Sequence, residues 1–85
     1  MKSFNYVLKD EEGLHARPAR LLVKAAEKLQ SVILIHKKDK SGNAKKIFAI
    51  MGLEVKHGEE ITVTLEGETE ELDYVALKGF FENNL

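Results

Sequence analysis

The chain has 85 residues, 44% hydrophobic and 32% charged, with a formal net charge of -1 and no cysteine. That length suits one small domain spanning 1–85 with a single core, and leaves no room for separate cofactor and substrate domains. The missing cysteines exclude a disulfide framework and a thiolate zinc site, the near-neutral charge argues against general nucleic-acid binding, and no apolar run is long enough to cross a bilayer. Met1 to Lys9 lacks the apolar core of a signal peptide, so a cytoplasmic location is the default expectation. Phe4, Tyr6 and Leu8 alternate with Ser3, Asn5 and Val7, which reads as a first strand. Asp10 to Gly13 is an acidic loop ending in glycine. From Ala16 to Leu29, the apolar residues Ala19, Leu22, Val23, Ala26 and Leu29 follow helical spacing and define one core-facing stripe.

Val32 to Ile35 is a β-branched run that reads as a second strand. A hairpin turn is expected somewhere in the polar segment Lys37 to Asn43, which contains Asp39 and Ser41-Gly42-Asn43. Lys46 to Leu53 holds too many apolar residues for a plain loop and suits a short helix. Lys56-His57-Gly58 is a turn, and Ile61, Val63 and Leu65 alternate with threonines as a half-buried strand. Thr69 has the chemistry of a helix N-cap, with Glu70 and Glu71 favourable at the positive helix end. Leu72, Val75, Ala76 and Phe80 are expected to form the buried face of that last helix, with close packing at Gly79. The order strand, helix, strand, short strand, short helix, strand, helix is that of an α+β open-faced sandwich. In this βαββαβα arrangement, a four-stranded antiparallel sheet is covered on one face by helices.

The chemistry concentrates in Gly13-Leu14-His15-Ala16-Arg17-Pro18-Ala19. Proline is tolerated in a helix only in its first turn, so the helix starts just ahead of Pro18 and His15 falls at or beside the N-cap. The N–H groups of Ala16 and Arg17 then have no intrahelical acceptor, and together with the helix dipole they favour an anion. Arg17 adds a planar cation suited to phosphoryl oxygens. A histidine nucleophile beside such a cradle is what a phosphohistidine requires.

Gly13 to Ala19 resembles the phosphorylation motif of the histidine-containing phosphocarrier (HPr) family of the bacterial sugar phosphotransferase system. Asn43 to Met51 resembles the family's second motif, and Gly58 to Leu65 its last strand. The resemblance implies phosphorylation of His15 at Nδ1 by enzyme I charged from phosphoenolpyruvate, with sugar-specific IIA domains as acceptors. It also implies that Arg17 is the phosphate-handling arginine and that the chain is a stoichiometric carrier, not an enzyme, needing no cofactor or metal. Lys46 stands where many Gram-positive members have a regulatory serine, so control by a serine kinase at this position is not inferred. The expected partner surface comprises Leu14, Arg20, Lys24, Lys45, Lys46, Ile47, Phe48 and Met51, a small apolar centre ringed by cations. No nucleic-acid partner and no membrane insertion are expected, and a monomer is. The alternative reading is a regulatory paralogue that docks or phosphorylates a transcription regulator or metabolic enzyme. His36 and His57 have no partner at metal-ligand spacing and read as structural or surface residues.

Overall fold

A computed structural model describes all residues from Met1 to Leu85. The elements are β1 (Lys2–Val7), α1 (Ala16–Glu27), β2 (Val32–Lys37), β3 (Lys40–Asn43), α2 (Ile47–Met51), β4 (Glu60–Glu66) and α3 (Glu70–Asn84). The four strands form one antiparallel sheet in the order β1-β4-β2-β3. Phe4 pairs with Val63, and Val63 with Ile35, so these side chains share the inner face. Ile33, Ile61 and Leu65 complete that face and are buried under the helices. The outer face carries hydroxyl, amide and imidazole groups that bond one another: Thr62 Oγ1 donates to Asn5 Oδ1 at 2.8 Å, and His36 Nε2 lies 2.9 Å from Thr64 Oγ1. One buried and one polar face follow directly from the period-two alternation along each strand. The architecture is the expected α+β open-faced sandwich.

Helix α1 buries Pro18, Ala19, Leu22, Val23 and Ala26, the stripe read from the spacing. It ends at Glu27. The N–H groups of Lys28 and Leu29 tighten the last turn by reaching back to Ala25 and Ala26, and Leu29 is left half-buried beyond the helix. The hairpin reverses at Lys38-Asp39, with Lys38 at φ +56°, so Ser41-Gly42-Asn43 lies inside β3 and is not the turn. Glycine is required at 42 because α2 rests on it: a Cβ there would lie 2.8 Å from the Ala49 carbonyl oxygen.

The expectation for α3 is corrected by about one residue of rotation. Asp73, Leu77 and Phe81 face the core, while Leu72 and Val75 are 76% and 69% exposed, Ala76 is exposed and Phe80 is only half-buried. The helix is apolar on two sides, so spacing alone cannot choose between them. The choice is made by specific partners. Phe81 packs edge-on to Phe4 and Tyr6, with centroids 5.4 and 5.2 Å away, and its carbonyl accepts the Tyr6 hydroxyl at 2.9 Å. A buried Leu or Phe contributes roughly 1.5–3 kcal/mol by leaving water. Gly79 faces open space, not a packed neighbour, so the expected close approach is absent.

Asp73 is a carboxylate in a hydrophobic setting, and it is fully partnered. Its Oδ2 accepts from the Ser31 amide at 3.0 Å, the Ser31 hydroxyl at 2.6 Å and the Thr69 hydroxyl at 2.8 Å. Thr69 thus precedes α3 as expected, but its side chain serves Asp73 and makes no bond to a free helix N–H. Burial pushes the Asp73 carboxyl up, yet the bonds from Ser31 and Thr69 together outweigh it and hold the group below its ordinary range. A depressed carboxyl contributes stability that is complete above its unfolded value and is lost as pH falls through the folded value.

Two expected outcomes follow. Asp73→Asn should lower unfolding stability by about 2 kcal/mol at neutral pH in urea titrations, because a neutral amide oxygen accepts these three bonds less strongly than a carboxylate does. The gap between parent and variant should narrow at acidities below the ordinary carboxylate range. Gly13 has φ +66°, and a Cβ there would stand 2.2 Å from the Val55 carbonyl oxygen. Gly13→Ala should therefore cost about 2–4 kcal/mol by the same measurement.

Candidate functional site

The segment leading into α1 is a tight turn followed by a clamp. The Gly13 N–H donates to the Asp10 carbonyl at 3.0 Å, and the Glu12 N–H donates to Asp10 Oδ1 at 2.9 Å. Gly13 lies directly on Val55 and Lys56, and the Leu14 N–H donates to the Val55 carbonyl at 2.9 Å. Leu14 is buried by this arrangement, which removes it from the expected partner surface. His15, the next residue, is exposed.

His15 is the N-cap of α1, at φ -129° and ψ 155°, and its side chain makes no capping bond. No protein group accepts the N–H of Ala16 or Arg17. Ala16 has φ +43°, in the left-handed region that a residue with a Cβ enters at some cost, so the helix begins from a strained backbone. Pro18 is the third helical residue, where the missing N–H forfeits no bond. The geometry read from the position of Pro18 is therefore present: an accessible imidazole beside two unaccepted main-chain donors.

Arg17 is not free. Its Nη2 lies 3.6 Å from Asp10 Oδ2, with the arginine side chain 61% exposed and the aspartate 15%. Asp10 carries no motif signal and was not anticipated. On the other side, His15 borders a cleft of about 230 Å³ lined by Glu12, Leu14, Glu54, Val55 and Lys56. The second wall comes from a loop some forty residues away in sequence, so local spacing could not reveal it. Glu54 sits at φ +54°, and its carbonyl accepts the Lys37 ammonium at 2.7 Å. Lys37 also pairs with Glu59 at 2.9 Å. Bonds from Lys37 and from the Lys56 N–H hold the Glu59 carboxyl below its ordinary range. The cleft wall is thus braced from β2.

The remaining expected surface residues divide. Arg20 and Lys24 are exposed on α1, and Lys46 is exposed as the N-cap of α2, which packs against α1. Lys45 is half-buried, and its ammonium donates to the Leu29 carbonyl at 2.7 Å, where it satisfies the chain leaving α1. Lys45 is therefore tied to the fold through its ammonium and is less exposed than Lys46. Ile47 and Met51 are half-buried against the core, whereas Phe48 is 83% exposed. The apolar centre of the surface reduces to the Phe48 ring and the edges of its two neighbours. No three His or carboxylate side chains converge as metal ligands, and no helix is long and apolar enough to cross a membrane.

Comparison with known proteins agrees with this geometry. A family model described as the PTS HPr component phosphorylation site matches residues 2–83. The phosphocarrier protein HPr of Mycoplasma genitalium is 39% identical over 85 residues, covering 99% of this chain and 97% of that protein. Among solved structures, HPr-C-His from Thermoanaerobacter tengcongensis superposes with a TM-score of 0.93 at 40% identity, covering 99% of this chain and 94% of the other. A structure described as an HPr dimer from the same organism gives 0.76 at 41% identity, covering 98% and 95%. Sequence, fold and helix-start geometry together show that this chain belongs to the HPr phosphocarrier family of the phosphotransferase system.

Proposed function

We propose that His15 accepts a phosphoryl group from phospho-enzyme I and passes it to sugar-specific IIA domains. The observation that carries this reading is the exposed imidazole of His15 at the N-cap of α1, without a side-chain partner and beside the unaccepted N–H groups of Ala16 and Arg17. In the loading step the lone pair of an imidazole nitrogen, Nδ1 by the family resemblance, attacks phosphorus. The bond from phosphorus to the donor nitrogen breaks, and its electron pair returns to the donor. Delivery to an acceptor is the same exchange in reverse. The two amides and the Arg17 guanidinium supply positive ends to the phosphoryl oxygens as charge redistributes.

Such a protein is a stoichiometric carrier, working as a cytoplasmic monomer without a cofactor. Exposed Arg20 and Lys24 on α1, with Lys46 and Phe48 on the adjoining α2, offer cations and one apolar anchor to acidic partners, which suits encounters that must end after each transfer. Lys46 offers no hydroxyl, so this site is not a target of a serine kinase.

Incubation with phosphoenolpyruvate and enzyme I should give an acid-labile, base-stable label that disappears in His15→Ala. Full labelling of that variant would refute the assignment. Arg17→Ala should slow transfer about 10- to 100-fold, the scale of losing one oriented charged donor. Its thermal midpoint should stay close to that of the parent, since the side chain is mostly in water; a parental transfer rate would contradict the role. A panel of IIA domains then separates a sugar-transport carrier from a regulatory paralogue.

A further inference from the structure

We propose that Asp10 is a positioning residue for Arg17: it holds the guanidinium while His15 is unloaded and yields it to the phosphoryl oxygens once His15 is loaded. The inference rests on His15 as the phosphoryl acceptor and adds a residue outside the motif. Asp10 is fixed from three directions. Its N–H donates to the Leu85 carbonyl at 2.8 Å, its own carbonyl accepts Gly13, and its Oδ1 accepts the Glu12 N–H. Only Oδ2 remains, and it faces Arg17.

The ion pair is built to be exchanged. At 3.6 Å it is longer than a charge-assisted hydrogen bond, and the arginine is largely in water, so the pair is weak. Arg17 has no other polar partner among the protein's side chains. A phosphoryl group on His15, two residues away, brings nearly two negative charges and three acceptor oxygens against one carboxylate oxygen. The guanidinium moves to the stronger anion. Asp10 is then left to water, which subtracts from the gain. The carboxylate thereby keeps phospho-His15 less stable than it would be with an unrestrained Arg17, and reclaims the guanidinium when the group departs. This favours onward transfer over retention.

Asp10→Asn is the informative variant, because the amide oxygen still accepts the Glu12 N–H while the charge is gone. Parent and variant are compared by NMR of the Arg17 Nε–H group, unloaded and after chemical phosphorylation with phosphoramidate. In that reaction the donor P–N bond breaks, a P–N bond to the imidazole forms, and ammonia leaves with the displaced imidazole proton. The unloaded variant should show the Arg17 signal moved to that of a free arginine, whereas the two loaded proteins should coincide. Identical unloaded signals, or a loaded parent with Arg17 unmoved, would overturn the proposal. When equal amounts of the two chains share a limiting phosphoryl pool through catalytic enzyme I, the variant should hold about threefold more, the scale of an exposed ion pair. The ratio should return to one-to-one when both chains also carry Arg17→Gln. An even split in the first pair, or a threefold bias surviving in the second, would reject the mechanism. Failure of enzyme I to load the parent at all would instead count against the carrier reading, and the chemically loaded samples would still decide the role of Asp10.

Discussion

The contact between Gly13 and the Val55-Lys56 backbone governs the rest of the site. With the approach this close, only a residue lacking Cβ fits, and the Leu14 amide is brought onto the Val55 carbonyl. Leu14 is thereby committed to the core, and the next side chain, His15, must face outward. The chain then enters α1 through Ala16 at φ +43°. Helix starts commonly use a short polar side chain to quiet their free N–H groups. Here the N-cap is an imidazole that leaves them unaccepted. The cost in local stability and backbone strain is tolerable because the clamp, and not the cap, determines where the helix begins.

The clamp is supported from behind by α3. Phe81 fixes the last helix on the sheet through Phe4 and Tyr6, and the Leu85 carbonyl, one turn on, accepts the N–H groups of Lys9 and Asp10 at 2.7 and 2.8 Å. The buried Asp73 ties the other end of α3 to Ser31 between α1 and β2. Residues far from His15 thus set the position of the turn that carries Asp10 and, through it, the resting place of Arg17. Chemistry on an exposed surface is made reproducible by a rigid support beneath it.

Much of this was legible in the sequence because the relevant signals are local. Pro18 and the stripe from Ala19 onward locate the start of α1 to within a residue, and the threonine-alternating run identifies β4. The buried face of α3 was not legible. Its sequence is apolar at Leu72, Val75 and Ala76 as well as at Leu77 and Phe81, and the decision rests with distant partners: Phe4 and Tyr6 of β1 for Phe81, and Ser31 for Asp73. The second wall of the cleft was hidden for a similar reason: Glu54 and Val55 reach His15 only through the tertiary clamp. Lys45 and Lys46 look equivalent in the chain, yet the backbone sends one ammonium to the Leu29 carbonyl and the other to water. The ion pair of Arg17 with Asp10 likewise depends on a turn whose geometry composition does not encode.

A carrier must accept and release the same group, so its site has to stabilise a phosphoryl moderately. On the proposed reading, two amides, one exposed arginine and a neighbouring carboxylate that competes for it make such a balance. The most direct test is amide NMR of the protein before and after loading by enzyme I and phosphoenolpyruvate. The N–H resonances of Ala16 and Arg17 should move strongly as they begin to donate to phosphoryl oxygens, while those of β1 and β4 stay in place. Unmoved Ala16 and Arg17 amides in a fully loaded protein would contradict the central claim.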